Sequence, residues 1–210
     1  MIESAHKAAV SETIEHLTAR WVKPDKSILK PIFPLLSEGQ PVSVRRIVEA
    51  TGANVESVEQ SLELGMTSRD LQGDVTELFG ITLAPTTHRL HIGDTTIYSC
   101  CALIAQMVPL LIQEQVTIES VDPISHGIVR LRVAPSGIET VDPEGMVCTL
   151  VRTDLQDVLG QVSAAFCSHV HHFESPETAC KFVAADSRRY TLDVSRFHET
   201  AGELYDAIWA

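Results

Sequence analysis

At 210 residues, with 44% hydrophobic and 21% charged residues, the chain can form one sizeable core or two small ones, since domains cluster around ~100–150 residues. The net charge of −12, from 16 basic and 28 acidic residues, argues against a polyanionic partner: nucleic-acid binding draws its affinity from Lys and Arg neutralising phosphates, and an anionic membrane surface repels an acidic chain for the same reason. Five cysteines, an odd number with no paired spacing, predict free thiols in a reducing cytoplasm.

The N-terminal stretch MIESAHKAAVSETIEHL carries acids and histidines where an export signal needs a basic start and a long apolar run, so none is expected. No window approaches the ~18 apolar residues of a membrane span. Glu3 to Val22 reads as an amphipathic helix, with Ala9, Val10, Ile14, Leu17 and Trp21 at helical spacing and Pro24 ending it. Ser27 to Leu36 reads as a second helical run, broken by Pro31 and Pro34 and closed by Gly39. From Pro41 to Leu64 the pattern is a helix-turn-helix: Ser43 caps, Val44, Ile47 and Val48 are apolar, Gly52 turns, and Val55, Val58 and Leu62 follow. Its second helix carries Glu56, Glu59 and Glu63 and no Lys or Arg, so it would repel phosphates; it reads as a winged-helix-like scaffold.

A polar stretch follows Gly65, then strands at Asp74 to Leu83, His88 to Ile92 and Thr95 to Tyr98, with Gly93-Asp94 as a turn. A helix over Cys101 to Ile112 is expected to bend or shorten at Pro109. Further strands are predicted at Gln115 to Ser120, Ile128 to Val133, Ile138 to Thr140 and Gly145 to Val151, then a short helical turn over Leu155 to Gly160. Ser175-Pro176-Glu177 marks a helix start; a strand over Tyr190 to Val194 and a helix over Ser195 to Trp209 close the chain. The fold class is α+β, with a helical, winged-helix-like unit over residues 1–84, a core of mixed or antiparallel strands and helices over residues 85–210, and a seam near Pro85.

Two stretches carry chemistry. In IYSCCALIAQMVPLLI, Cys100 and Cys101 stand at a helix start, where unpaired N–H groups and the helix dipole favour the thiolate. The bland alternative is that either cysteine is only a small buried hydrophobe. In FCSHVHHF, Cys167 lies beside three histidines. Cys101 and Cys167 are 66 positions apart, so only the fold can bring them together. Two thiolates with nothing else suit a soft, linearly coordinated ion, Hg(II) or Cu(I), and not tetrahedral zinc. An extended backbone would add His169 and His171 to the face of Cys167, making a Cys/His/His site sterically feasible; more often such histidines bond backbone carbonyls.

These blocks resemble the organomercurial lyases, or alkylmercury lyases. The resemblance runs through ILKPIFPLLSEGQPVS, GITLAPTTHRLHIGDTTIYSCCAL, VPLLI, VAPSGIETVDPEGM and FCSHVHHFES, from Ser27 to Ser175. It implies a winged-helix-like domain before an α/β lyase core, and cleavage of a carbon–mercury bond by two cysteines and an aspartate. The cysteine of the CAL block is Cys101 and that of the FC block is Cys167. One thiolate attacks mercury, the other joins it, a proton reaches the leaving carbon, and Hg(II) departs to other thiols. Ordinary chemistry agrees, because a carbanion leaves only when sulfur donors weaken its bond to mercury and an acid protonates it.

The chain departs from that pattern at one position: Ile104 stands where the family has its aspartate, one helical turn after the first cysteine. Cys100 and the imidazoles of His169, His171 or His172 are the candidate substitutes, with Asp94 and Asp122 ranked below them; Cys148 and Cys180 are expected to pack in the core. The reading is therefore a cytoplasmic lyase using Cys101 and Cys167 for catalysis and mercury binding, slow or altered in substrate, with no cofactor beyond Hg(II) as bound product. Its partners are a small organomercurial and acceptor thiols, and the expected state is a monomer or weak homodimer. The alternative is a thiol protein that captures Hg(II), Cu(I) or an organometal without turnover.

Overall fold

A computed structural model of the chain describes residues 2–65 and 67–210. Helix α1 (Ile2–Ala19) lays Ala9, Val10 and Leu17 on the core, as its spacing predicts, while Ile14 is only half-buried. The proline-broken run is two short helices, α2 (Lys26–Leu29) and α3 (Ile32–Leu36), parted at Lys30-Pro31. Pro34 stays within α3 because it falls in the first turn, where a backbone N–H has no intrahelical acceptor to lose. The helix-turn-helix is α4 (Val44–Thr51) and α5 (Val55–Leu64). Ser43 Oγ accepts the Arg46 N–H, Gly52 takes φ +71°, and Asn54 caps the second helix, satisfying terminal N–H groups that would otherwise be orphaned. Val55, expected on the apolar face, is exposed at the first position of α5.

The polar stretch after Gly65 contains a strand that periodicity missed, β1 (Thr67–Arg69). The single strand expected over residues 74–83 is split into β2 (Val75–Leu78) and β3 (Ile81–Thr82), because Phe79 and Gly80 both take positive φ. Next come β4 (His88–Ile92) and β5 (Thr95–Ser99), a hairpin turned at Gly93-Asp94, then β6 (Val116–Val121), β7 (Ile128–Ala134) and β8 (Gly137–Asp142). These form one eight-stranded sheet in the order β1-β2-β3-β5-β4-β6-β7-β8, antiparallel at every pairing. The sheet runs unbroken across residue 84, where β3 pairs with β5. β7 alternates as predicted: Val129, Leu131 and Val133 are buried, and Arg130 and Arg132 face water.

β5 and β6 flank β4, each antiparallel to it, and are therefore parallel to each other. Helix α6 (Ala102–Ile112) is the crossover between them. Ten of its eleven residues are buried, as befits a helix apolar all round; each large side chain there contributes about 1.5–3 kcal/mol by burial. Pro109 does not shorten it, and the helix ends at Gln113, which takes a left-handed conformation.

A second, three-stranded sheet has the order β10-β9-β11, from β9 (Val147–Val151), β10 (His172–Phe173) and β11 (Arg189–Asp193). The short helical turn predicted over Leu155 to Gly160 is the first part of α7 (Leu155–Ala165), which breaks at Gln161 (φ −141°, ψ 77°) and resumes beyond it. A 3₁₀ turn at Cys167–His169 follows, then α8 (Pro176–Val183), capped by Ser175, and the terminal helix α9 (Val194–Trp209). α9 packs on α6 and α1. Trp209 closes an aromatic cluster with Trp21, Phe33 and Phe79 at centroid distances of 4.6–6.5 Å, the separation at which ring edges meet ring faces. Among the described residues no helix is long and apolar enough to cross a membrane.

Candidate active site

β5 ends at Ser99, and the chain turns through Cys100 and Cys101 into α6. Cys101 is extended (φ −154°, ψ 165°) at the N-cap. Three hydrogen bonds fix this link: Cys100 N to Gly80 O at 2.7 Å, Ala102 N to Val170 O at 3.1 Å, and Ser99 Oγ to the Cys101 carbonyl at 3.0 Å. The second of these draws the loop after α7 against the start of α6, and with it Cys167. The result is three sulfurs, from Cys100, Cys101 and Cys167, all within 4.8 Å of one another. Cys100 donates to Cys167 Sγ at 3.4 Å. Gly80 makes room for this: a Cβ there would collide with Cys100 Sγ, and its φ of +76° suits glycine.

Cys101 is fully buried, Cys167 is 8% exposed and Cys100 is half-buried. Cys100 and Cys167 face a cavity of about 100 Å³ whose wall includes Leu17, Trp21, Phe79, Ile104, Phe166 and Leu204. Arg20, Glu77 and Ser163 are its polar lining. Ile104 sits one turn beyond Cys101 and is 6% exposed, so the cavity wall is apolar at that point.

The three thiols divide one negative charge. Burial opposes ionisation of Cys101, but hydrogen bonds with the Cys100 and Cys167 thiols and the Ile104 backbone N–H outweigh it and hold Cys101 well below the ordinary thiol range. Cys100 is pushed well above that range, first by its hydrogen bonds to Cys101 and Cys167 and then by burial. At Cys167 the bond from Cys100 favours the thiolate, yet its own bond to Cys101, burial and the Cys101 charge keep it protonated. The site is thus one thiolate flanked by two thiols.

The extended backbone considered for FCSHVHHF is present only in its second half, at Val170 and in β10. Residues 167–169 form a 3₁₀ turn, which destroys the period-two alternation and separates the histidines from Cys167's face. His169 Nδ1 accepts from Arg189 Nε at 2.9 Å, and His171 Nε2 donates to Ser168 O at 3.0 Å. Neither joins the sulfurs; among the described residues the thiol cluster contains no histidine, so the Cys/His/His site is set aside. Asp122 is also committed elsewhere: it accepts from the Ile124, Ser125 and Glu174 backbone N–H groups and from Thr178 Oγ1. Cys148 is buried as expected, whereas Cys180 is exposed on α8 and packs in no core.

Behind Cys101 runs a buried polar chain that sequence reasoning missed. Ser120 stands opposite His88 in the β4–β6 register. Its hydroxyl bridges His88 Nδ1 and His172 Nδ1, each at 2.8 Å. His172 Nε2 lies 3.0 Å from the Gln106 amide nitrogen, and Gln106 Oε1 lies 3.2 Å from His198 Nδ1. Burial pushes both His88 and His172 down to about 3, with neighbouring imidazoles adding to it, so both rings are neutral. Because the Gln106 amide can only donate, His172 carries its proton on Nδ1 and donates to Ser120, which donates to His88. His88 Nε2–H is left without a hydrogen-bond partner among the described residues, in electrostatic reach of Cys101. One signal was available: Gln106 is the single polar residue in the span Ala102–Ile112.

Comparison with known proteins identifies the family this cluster belongs to. A family model described as alkylmercury lyase matches residues 81–206, and one described as the helix-turn-helix domain of alkylmercury lyase matches residues 17–77. The chain belongs to the alkylmercury lyase family. An alkylmercury lyase of Staphylococcus epidermidis is 38% identical over 153 residues, spanning 72% of this chain and 69% of that protein. One from Streptomyces lividans is 27% identical over 180 residues, spanning 85% and 82%. In fold, the chain is similar to the crystal structure of the mercury-bound form of MerB2, with a TM-score of 0.75 over 94% of this chain and 99% of that one at 20% identity. All three thiols lie in the alkylmercury lyase span, while Leu17 and Trp21 of the cavity wall come from the helix-turn-helix span.

Proposed function

We propose that this alkylmercury lyase cleaves carbon–mercury bonds with Cys101 and Cys167, and that Cys100 does the proton handling for which the resembling family has a carboxylate. The observation that carries this reading is the cluster itself: one depressed thiol and two raised ones, within 4.8 Å, two of them in the wall of a largely apolar cavity. The Cys101 thiolate attacks mercury in R–Hg–X and expels X. Cys167 then adds to mercury as its proton passes to Cys100, 3.4 Å away, while the Cys100 proton goes to the carbon. The C–Hg bond breaks to give R–H, and mercury is left between the two sulfurs. Atoms and charge balance, since R–Hg–S plus a thiol gives R–H and S–Hg–S. Excess thiol in solution removes Hg(II) by exchange.

Residues 85–210 carry the thiols in this reading, and residues 1–84 supply cover through Trp21, Phe79 and the Gly80 turn. Five free cysteines support a reducing cytoplasm, Glu56, Glu59 and Glu63 on α5 support a helix-turn-helix that does not bind DNA, and the same sulfurs would hold Cu(I). Monomer or weak dimer is the proposed state. Stoichiometric capture without turnover is the second reading, favoured by the apolar Ile104.

The test is hydrocarbon release from phenylmercury under reducing conditions with excess thiol. Wild type releases benzene catalytically; Cys101→Ser and Cys167→Ser lose release by at least about 10³-fold, as nucleophile loss does. Release that persists in both variants removes the mechanism. A mercury adduct with no benzene establishes capture.

A further inference from the structure

Mercury held linearly needs two sulfurs, and this site has three. We propose that Cys100, Cys101 and Cys167 together form a pyramidal trithiolate site for trivalent arsenic or antimony, a ligand class beyond the lyase reading and independent of whether the chain turns over mercurials.

The spacing points there first. With a metal–thiolate bond of ~2.3 Å, as zinc has, a linear ion places its two sulfurs about 4.6 Å apart, and an ion capping three sulfurs at near right angles places them roughly 3.3–3.5 Å apart. Cys100 and Cys167 stand 3.4 Å apart, too close to straddle a linear ion and correct for a shared apex, and Cys101 lies within 4.8 Å of both. The triangle is held, not incidental. The Cys100 N–H is bonded to Gly80 O, the absence of a Gly80 side chain leaves the Cys100 sulfur its place, and the bond from Ala102 N to Val170 O keeps the Cys167 loop against α6.

The surroundings choose among soft ions. Among the described residues no histidine or carboxylate completes the cluster, so zinc lacks its fourth N/O/S ligand. A pyramidal trivalent ion wants three sulfurs and presents a lone pair on its open side. Beside Cys100 and Cys167 lies the cavity, whose wall at Ile104 and Phe166 offers no competing donor. Arsenous acid is small and neutral, so it enters an apolar cavity without the cost of desolvating a charge. The reaction balances without an oxidant: As(OH)₃ with two thiols, one thiolate and one proton from solvent gives As(S)₃ and three waters, while arsenic stays trivalent.

The reduced full-length chain, titrated anaerobically with sodium arsenite and read by native mass spectrometry, tests this. One arsenic per chain is expected, with three protons lost and no hydroxide retained. Cys100→Ser, its fold checked by uptake of phenylmercury, should bind roughly 10²-fold more weakly, the scale on which one further tethered contact acts. Cys180→Ser, altering the exposed cysteine of α8, should bind as wild type. A wild-type adduct that keeps a hydroxide, unchanged affinity in Cys100→Ser, or loss of the adduct in Cys180→Ser each overturns the proposal, and the wild-type mass alone decides it if Cys100→Ser does not fold. Arsenite binding without benzene release would retire the lyase reading and leave this one; benzene release without an arsenite adduct would do the reverse.

Discussion

Replacing Ile104 by aspartate puts a carboxyl one helical turn from Cys101, on the wall of the cavity that Cys100 and Cys167 also face. The site is 6% exposed and lies beside a thiolate, so burial and like charge both raise the introduced carboxyl's pKa and keep it protonated near neutrality. A protonated carboxyl at that point can give its proton to the leaving carbon and recover one from Cys167. Positioned proton transfer is worth ~10²–10⁴-fold, or about 3–5 kcal/mol of barrier. Part of this is already supplied by Cys100, so Ile104→Asp should raise single-turnover benzene release about 10–10³-fold. The same substitution should lower stability by roughly 2–4 kcal/mol, from lost apolar burial and a new buried polar group. Rapid-quench single turnovers with phenylmercury, followed by gas chromatography, measure the gain; urea unfolding measures the cost. A folded variant that binds phenylmercury as tightly as wild type and releases benzene no faster would refute the idea that proton delivery limits this site.

Further outcomes follow from the same geometry. Because Cys101 is depressed and Cys100 and Cys167 are raised, kcat/KM should be flat across neutrality, falling below the ordinary thiol range as Cys101 protonates and above it as the other two ionise; a single limb near the ordinary value of 9.0 would mean the charge is not divided this way. Gly80→Ala should cost about 1–3 kcal/mol for its positive φ and, by displacing Cys100, should slow benzene release more than it weakens phenylmercury binding. Ser120→Ala leaves two buried imidazole nitrogens unpaired and should destabilise by about 2–4 kcal/mol, seen as a lower urea midpoint at unchanged slope. His88 and His172, held at about 3 in the fold against ~6.5 unfolded, are bare in the native state while the unfolded chain takes up protons. Their contribution is therefore present above pH ~6.5 and lost progressively as pH falls toward 3; Tm should drop over that window, and less steeply in His172→Gln.

Much of this architecture is written locally. Ser43, Gly52, Asn54 and Ser175 hold the cap and turn positions their types favour, and the alternation of β7 is that of a strand with one wet face. What failed were places where a distant contact overrides local preference. Residues 74–83 look like one strand, but the Phe79-Gly80 turn breaks it to place Phe79 in the aromatic cluster and the Gly80 carbonyl under Cys100 N. FCSHVHHF looks extended, yet the chain coils at Cys167 so that Val170 can accept from Ala102. Cys101 and Cys167 could be named as a pair from the resemblance alone. That Cys100 joins them depends on a turn twenty residues upstream, which no spacing within SCCAL encodes.

A thiol in place of a carboxylate, as proposed here for the proton-handling role, has a physical rationale. A carboxylate one turn from a buried thiolate must be desolvated beside a like charge, an arrangement that costs several kcal/mol unless it is protonated or well bonded. A thiol meets that constraint differently: it is small, tolerates apolar walls, and with its pKa raised it holds a proton at neutral pH without a counter-ion. Cys100 satisfies these conditions, donating to Cys167 while the cavity beyond Ile104 stays apolar. Cys100 is also a third sulfur beside the Cys101 and Cys167 pair. Both proposed roles, proton handling and retention of a three-coordinate ion, rest on this one side chain, so Cys100→Ser should slow benzene release and weaken arsenite binding together, whereas Ile104→Asp should raise the first without strengthening the second.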